Sequence, residues 1–375
     1  MSLQTTMKTY TVKEKAKVIY NTVVDVFDWN KTSDCVTPLD LVRKQFEGVS
    51  PQGKICIPGA GIGTYVLIAL EKGFSPENIT AVELDPMYYE LGSGMFSRLG
   101  VNYVHTDFLT WQPDMKFDVV IGNPPYQKSK YSDFYVCFMK SAADHLKDGG
   151  YFSMIAPAKG AQPFSRAQKP LKLLGWNKVE FGIEKNFPNI GTVIANFIGV
   201  KGTNSDKITV VLPDREFTVP RDTVFPLASS DYLTYSAIAK IFGMEQKMPF
   251  LRQKTEPKGN FLYVSRLIGT WHPEKVKGGA FALKSFKNEA PELNDGGFLT
   301  FDSDKEVDHA FWVISRSLVM RFAINQCGKA AFIAPMFWNL MPDLLSCRND
   351  EETFVKLGLT VEEVDHIQSW ERLTY

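Results

Sequence analysis

Ile55-Cys56-Ile57-Pro58-Gly59-Ala60-Gly61-Ile62-Gly63 is a short apolar run that breaks into three glycines, and Tyr65–Glu71 behind it has helical spacing. The apolar run suits a strand. The glycines suit a turn in which the backbone takes positive φ and lets a ligand approach closely. A strand, a Gly-rich turn and a helix, in that order, begin a doubly wound α/β fold. Alone, the motif serves a dinucleotide equally well, or a tight turn with no ligand.

Working outward, the alternation repeats. Ile79–Leu84, Asn102–His105, Phe117–Ile121 and Tyr151–Ala156 read as strands, with helices at Met87–Leu99 and Phe134–Leu146. Val179–Gly182 and Val193–Val200 read as two further strands, open to an antiparallel pairing. The pattern predicts a mostly parallel, Rossmann-like sheet. Upstream, Ala16, Ile19, Tyr20, Val23 and Phe27 recur at helical steps over residues 10–29. Thr37 is placed to cap a helix Leu39–Phe46 that starts at Pro38. The segment 199–206 (GVKGTNSD) reads as a linker, and beyond it the alternation stops in favour of short β-like runs, many aromatics and a terminal helix near Val361–Arg372. The expected organisation is an N-terminal helical segment over 1–33, an α/β domain over 34–202 and a C-terminal α+β domain over 203–375.

Composition narrows the class. The 375 residues carry 42 basic and 42 acidic side chains, so the formal net charge is zero and any nucleic-acid contact must come from local basic surface. Five scattered cysteines (Cys35, Cys56, Cys137, Cys327, Cys347) form no CxxC pair, which speaks against a zinc ribbon or a disulfide framework. No metal site is read. There is no apolar leader in the first twenty residues and no membrane-length apolar run, so the expected setting is a reducing cytoplasm.

The chemistry-bearing residues sit at successive strand ends. Glu83, in Ala81-Val82-Glu83-Leu84-Asp85, closes the second strand roughly 20 residues after the Gly-rich turn, where a carboxylate can take the hydroxyls of a ribose. Asp107 can accept from an adenine amino group while Phe108 covers the ring, although a helix cap and a core aromatic explain the pair equally well. Val119-Val120-Ile121-Gly122-Asn123-Pro124-Pro125-Tyr126 puts a rigid polar turn at the end of the fourth strand. By average composition an Asn-Pro-Pro-aromatic string arises by chance in such a chain only on the order of a few times per thousand. An exocyclic amine is a poor nucleophile because its lone pair is conjugated into the ring. Two acceptors on its N–H groups, the Asn123 side-chain oxygen and the Pro124 carbonyl, would favour a pyramidal nitrogen, and Tyr126 offers an aromatic face for an extracted base.

On these residues the chain resembles the amino-methyltransferases, and among them the gamma class of N6-adenine DNA methyltransferases, including the methylase domain of Eco57I- and TaqI-type enzymes. The resemblance spans roughly residues 34–202. It implies S-adenosylmethionine as cofactor, held by Thr37, Pro58, Gly59, Ala60, Gly61, Gly63, Glu83, Leu84, Asp107, Phe108 and Asn123. It implies a catalytic turn Asn123, Pro124, Pro125, Tyr126. Asn186-Phe187-Pro188, with Thr192-Val193-Ile194 behind, is similar to the family's late motif, so Phe187 is expected with Tyr126 at a flipped adenine. Where the family usually carries an acidic residue just before the proline of the Gly-rich turn, this chain has Ile57. The implied partner is double-stranded DNA, with room for a separate cognate restriction endonuclease; the expected state is a monomer or weak dimer of bacterial or phage type, with no membrane.

In the C-terminal region, residues 252–287 hold eight basic side chains, among them Arg252, Lys254 and Arg266, against Glu256 and Glu274. Phe261, Tyr263, Trp271, Phe281 and Phe286 are interleaved with them, a pattern that suits phosphate contacts plus packing or stacking at a DNA surface, or else a solvated basic face over a local core. Arg166 and Lys169, in the loop after Pro157, are a second basic candidate. Three other functions stay open: methylation of RNA adenine, methylation of a protein glutamine amide, or a decayed, non-catalytic DNA-binding relative.

Overall fold

The structure is a computed structural model that describes residues 11–26, 36–126, 133–187, 193–227, 231–251, 255–270, 281–290, 296–327 and 340–374. Cys35, Pro188, Thr192, Arg252, Lys254 and Trp271 lie outside the described residues, and of Arg266, Phe281 and Phe286 only the backbone is described.

The chain divides into two compact units, and the first is an α/β sheet protein. Its strands are β1 (Ile55–Pro58), β2 (Ile79–Glu83), β3 (Asn102–His105), β4 (Phe117–Gly122), β5 (Leu146–Pro157), β6 (Trp176–Glu180), β7 (Ile194–Val200), β8 (Lys207–Val211) and β9 (Glu216–Pro220). They form one sheet in the order β3-β2-β1-β4-β5-β7-β6-β8-β9. The β3-β2-β1-β4-β5 half is parallel throughout, while β7 runs antiparallel to both β5 and β6. Parallel strands are covered on both faces, which is why β1 and β2 are buried at every position. Ile55 and Ile57 are wholly buried, each worth about 1.5–3 kcal/mol of apolar transfer.

The helices of this unit are α1 (Val12–Val26), α2 (Leu39–Gln45), α3 (Thr64–Lys72), α4 (Pro86–Phe96), α5 (Phe134–His145) and α6 (Gln168–Leu173). Asp85 caps α4 by accepting from the Met87 and Tyr88 amides. Three expectations change here. Helix α1 is not a separate segment, because Ala16 and Tyr20 are buried in the core with Val66 and Phe96. Thr37 does not cap α2; Pro38 holds that position without a side-chain bond. The first unit does not stop at residue 202 but continues to Arg221, because β8 and β9 extend the sheet beyond β6.

Under the β3–β4 end lies His145, whose Nε2 is 3.1 Å from the Trp111 carbonyl and whose ring meets Phe108 edge-on at 5.0 Å. Nδ1 is buried without a partner among the described residues. Burial, reinforced by Lys116 and opposed by the Trp111 carbonyl and Asp144, holds the imidazole below its ordinary pKa. A pKa lowered on folding means that the unfolded chain binds the proton first, so stability is complete above about pH 6.5 and falls as the pH drops through the folded value. The urea midpoint is therefore expected to fall between about pH 7.5 and about pH 5.5, and His145→Gln should flatten that slope. An unchanged slope in the variant would remove His145 from the acid response.

The second unit is α+β. Strands β10 (Asn260–Thr270), β11 (Phe281–Lys287) and β12 (Gly296–Phe301) form an antiparallel sheet with β10 central. Alternation along β10 sends Leu262 and Val264 to the main core and Phe261 and Tyr263 to a second cluster with Phe298. Around it are α7 (Tyr232–Gly243), α8 (Asp304–Ser315), α9 (Leu318–Cys327), α10 (Asp350–Lys356) and α11 (Val361–Thr374). The sequence reading anticipated only the last of these helices. Phe261 and Tyr263 are core side chains here, not stacking surfaces, and Lys287 is paired with Asp308.

Candidate active site

The C-terminal ends of β1, β2, β3 and β4 surround a cavity of about 740 Å³, within the range of small-molecule pockets. Gly59, Gly61, Glu83, Leu84, Asp107, Phe108 and the turn Asn123–Tyr126 all line it. A smaller recess of about 80 Å³, lined by Thr37, Ala60 and Tyr65 among others, meets it at Gly59, Gly61, Tyr88 and Asn123. Of the predicted cofactor residues, Pro58 and Gly63 line neither space. Pro58 is the buried last residue of β1, and a Cβ on Gly63 would run into the Phe96 ring, so the glycine there serves packing.

The Gly-rich turn is held by side chains from two neighbouring strands. Gly59 and Gly61 have φ of 60° and 55°, which favours glycine, and a Cβ on Gly61 would point into open space. The Gly61 amide donates to Glu83 Oε2 at 2.7 Å, and the Gly61 carbonyl accepts from the Tyr103 hydroxyl at 2.7 Å. Glu83 Oε1 accepts from the Leu84 and Asp85 amides, both at 2.8 Å. The carboxylate is thus 8% exposed and already orders two loops, with part of its acceptor capacity left toward the cavity. Tyr103 was not singled out in the sequence, where it is simply one residue of a strand. Burial, with the Glu83 carboxylate adding to it, keeps its hydroxyl in the protonated, donating form.

Leu84 is 54% exposed at the rim and supplies an apolar surface. Asp107 Oδ1 accepts from the Leu109 amide at 2.9 Å, a turn contact that leaves Oδ2 without a partner among the described residues. Phe108 is buried and stacks on Phe138 with ring centroids 5.8 Å apart. It is a core aromatic and a cavity wall at once.

At the end of β4 the Asn123 side chain is satisfied at both ends. Its Nδ2 donates to Thr37 Oγ1 at 3.0 Å, and its Oδ1 accepts from the Tyr126 hydroxyl at 2.7 Å. Pro124 is buried and Pro125 exposed. Tyr126 packs against a cluster of Leu41, Ile155, Ile183, Phe187 and Ile194, so Tyr126 and Phe187 share one apolar surface. Phe187 is itself buried there. Arg166 and Lys169 are exposed, and Lys169 lies in α6 and not in a loop. No three His, Cys, Asp or Glu side chains gather as a metal site among the described residues, and no described helix is long and apolar enough to cross a membrane.

Residues 95–173 match the family model of the Eco57I restriction-modification methylase. Modification methylase CviBIII of Paramecium bursaria Chlorella virus NC1A is 33% identical over 122 residues, covering 29% of this chain and 32% of that protein. The tRNA1(Val) (adenine(37)-N6)-methyltransferase of Flavobacteriaceae bacterium (strain 3519-10) is 27% identical over 140 residues, covering 33% of this chain and 60% of that protein. A modification subunit of a putative type I restriction enzyme from Vibrio vulnificus YJ016 superposes with a TM-score of 0.44 at 14% identity, over 54% of this chain and 52% of that one. The chain spans about a third of the length of the first of these curated relatives. The match to that family model runs from the end of helix α4 through the Asn123–Tyr126 turn to the end of helix α6.

Proposed function

We propose that this protein is an S-adenosylmethionine-dependent methyltransferase acting on the exocyclic N6 of adenine in DNA. The observation that carries the reading is the Asn123–Tyr126 turn at a cavity that Glu83, Leu84 and Asp107 also line. The cofactor fits the residues present: a positive-φ glycine turn with open space at Gly61, a carboxylate with acceptor capacity, an apolar rim and an aspartate oxygen. Gly59, Gly61, Glu83, Leu84, Asp107 and Phe108 would hold it, with Thr37 and Ala60 at the smaller recess. When bound, it supplies a methyl group on a positively charged sulfur.

The chain's own part is positioning. Asn123 Oδ1 and the Pro124 carbonyl accept the two N6–H bonds and turn the nitrogen lone pair toward the cavity. For this the Tyr126 hydroxyl must leave Asn123 Oδ1, freeing the acceptor and presenting the ring to the base. Phe187, in the same cluster, borders the position the base would take. The second unit, with the basic run that includes Arg252, Lys254 and Arg266, supports a DNA partner, as do Arg166 and Lys169 on the first unit. A separate restriction endonuclease is the partner suggested by the family match.

Tyr126→Phe keeps the ring and removes the competing donor, so single-turnover transfer should stay within about threefold of wild type. Tyr126→Ala should weaken capture of DNA by roughly 5- to 150-fold, from stacking worth about 1–3 kcal/mol per base. The KM for unmethylated plasmid DNA measures this, and equal effects of the two changes would contradict the stacking role. RNA is the second reading, favoured by the similarity to the tRNA enzyme. Transfer of labelled methyl groups, compared among unmethylated DNA, RNA and free protein, separates them. Label on RNA and not on DNA would overturn the DNA reading.

A further inference from the structure

The exit of the glycine turn is held from outside the sheet. Thr64 is the first residue of α3, is 5% exposed, and lines the smaller recess together with Thr37 and Ala60. The cap position before it is Gly63, which has no side chain to offer. The Thr64 hydroxyl lies 2.7 Å from the hydroxyl of Tyr20, on α1. Tyr20 is 3% exposed, and burial, only partly offset by the bond to Thr64, raises its pKa, so the phenol stays neutral.

Helix α1 meets the rest of its unit along one narrow stripe. Lys15, Ala16, Ile19 and Tyr20 are buried or half-buried, while Lys17, Val18, Asn21 and Thr22 are exposed. The two helices run antiparallel: Lys13 Nζ donates to the Glu71 carbonyl at 3.1 Å near the end of α3, and Tyr20 reaches Thr64 at its start. Both contacts lie about two turns apart on each helix, so α1 is pinned at either end of α3. The lysine contact is exposed and the tyrosine contact is buried, which leaves Tyr20 to set the fit. A threonine in a helix divides between two rotamers, since its hydroxyl can also turn back to the backbone. The bond to Tyr20 selects one of them, and with it the surface that Thr64 gives the recess. Gly61 is held by Glu83 and Tyr103 from β2 and β3, so the turn and its exit are ordered by separate contacts.

We propose that Tyr20 is a positioning residue for the cofactor: through the Thr64 hydroxyl it fixes the start of α3 and the recess that Thr64 lines, so that docking of α1 and binding of the cofactor support each other. The inference rests on the S-adenosylmethionine reading, because the recess meets the cavity assigned to that cofactor at Gly59, Gly61, Tyr88 and Asn123. Coupling between two equilibria is reciprocal. Whatever affinity α1 lends to the cofactor, the cofactor returns as protection of α1.

The test uses the full-length protein with Tyr20→Phe and Thr64→Val, each of which removes one hydroxyl and keeps most of the side-chain volume. Thr22→Ala, on the exposed side of α1, is the control. By calorimetric titration the Kd for S-adenosylmethionine should rise about two- to tenfold in Tyr20→Phe, the scale of one hydrogen bond, and not in Thr22→Ala. The double variant should bind no more weakly than the weaker of the two single variants, because both changes break the same contact. An unchanged Kd in Tyr20→Phe, or effects that multiply in the double variant, would overturn the proposal. A merely structural tyrosine lowers the melting temperature and leaves the Kd in place. A second readout is amide hydrogen exchange without cofactor, which should quicken at residues 62–65 in Tyr20→Phe. Exchange there at the wild-type rate would also overturn the proposal. In wild-type protein the cofactor should slow exchange over residues 15–20, and no slowing would refute the coupling. If wild-type protein binds no S-adenosylmethionine, the cofactor reading fails, while exchange at residues 62–65 still decides whether Tyr20 holds the start of α3.

Discussion

Asn123→Ala is expected to lower methyl transfer by at least on the order of 10²–10³-fold, the range for losing one preorganised group that stabilises a transition state, while cofactor affinity stays within about twofold. The asymmetry follows from geometry. Asn123 lines the cavity, and both ends of its side chain are engaged, Nδ2 with Thr37 and Oδ1 with Tyr126. The glycine turn is tied to Glu83 through bonds in which Asn123 has no part. Removing the amide strips the amine acceptor and leaves the cofactor wall standing. Near-normal turnover in this variant, with transfer still on adenine, would mean that another group accepts the amine.

Glu83→Ala should produce the complementary failure, with cofactor Kd raised by about 100-fold or more. Three backbone amides, those of Gly61, Leu84 and Asp85, lose their acceptor at once, and each stranded donor costs about 1–3 kcal/mol where it is shielded from water. The loss falls on the two loops that line the proposed cofactor cavity, so calorimetric titration with S-adenosylmethionine reports it directly. Glu83→Gln, which keeps one acceptor oxygen but sets an NH2 against backbone N–H groups, should fall between wild type and alanine. A Kd within about threefold of wild type in Glu83→Ala would show that the turn is ordered by other contacts, with Tyr103 the next candidate.

The parallel half of the sheet was legible because β1, β2 and β4 are mainly apolar runs ended by proline, a charge and glycine respectively. Asn102–His105 falls at its expected bounds, and β1 and β2 come within one or two residues of theirs. Ile57 shows where sequence pattern stops. Resemblance marks its position as one that usually carries an acid, but here it is a wholly buried residue of a central strand, paired with Ala81 of β2. The task of ordering the turn falls instead to Glu83 and Tyr103.

In the second unit helical and strand periods lie side by side in the sequence. Ser303 and Glu306 form a capping box, followed by Val307, Ala310, Val313 and Ile314 at helical spacing, so α8 could have been read from residues alone. The aromatics of β10 and β11 give the region a strand-like pattern that masks α7 to α10. The buried hydrogen bonds among Gln45, Ser153, Asn196 and Glu180 were illegible for a different reason. They join residues as far apart as Gln45 and Asn196, and nothing in either neighbourhood marks a polar side chain for burial.

The central claim is that the Asn123 turn holds the exocyclic amine of adenine for methylation. Unmethylated DNA incubated with the protein and S-adenosylmethionine, digested to nucleosides and analysed by mass spectrometry, tests it most directly. The account predicts N6-methyl-2′-deoxyadenosine with wild-type protein and its loss with Asn123→Ala. Methylation only at a cytosine, or none on DNA when RNA or protein is labelled, would contradict it.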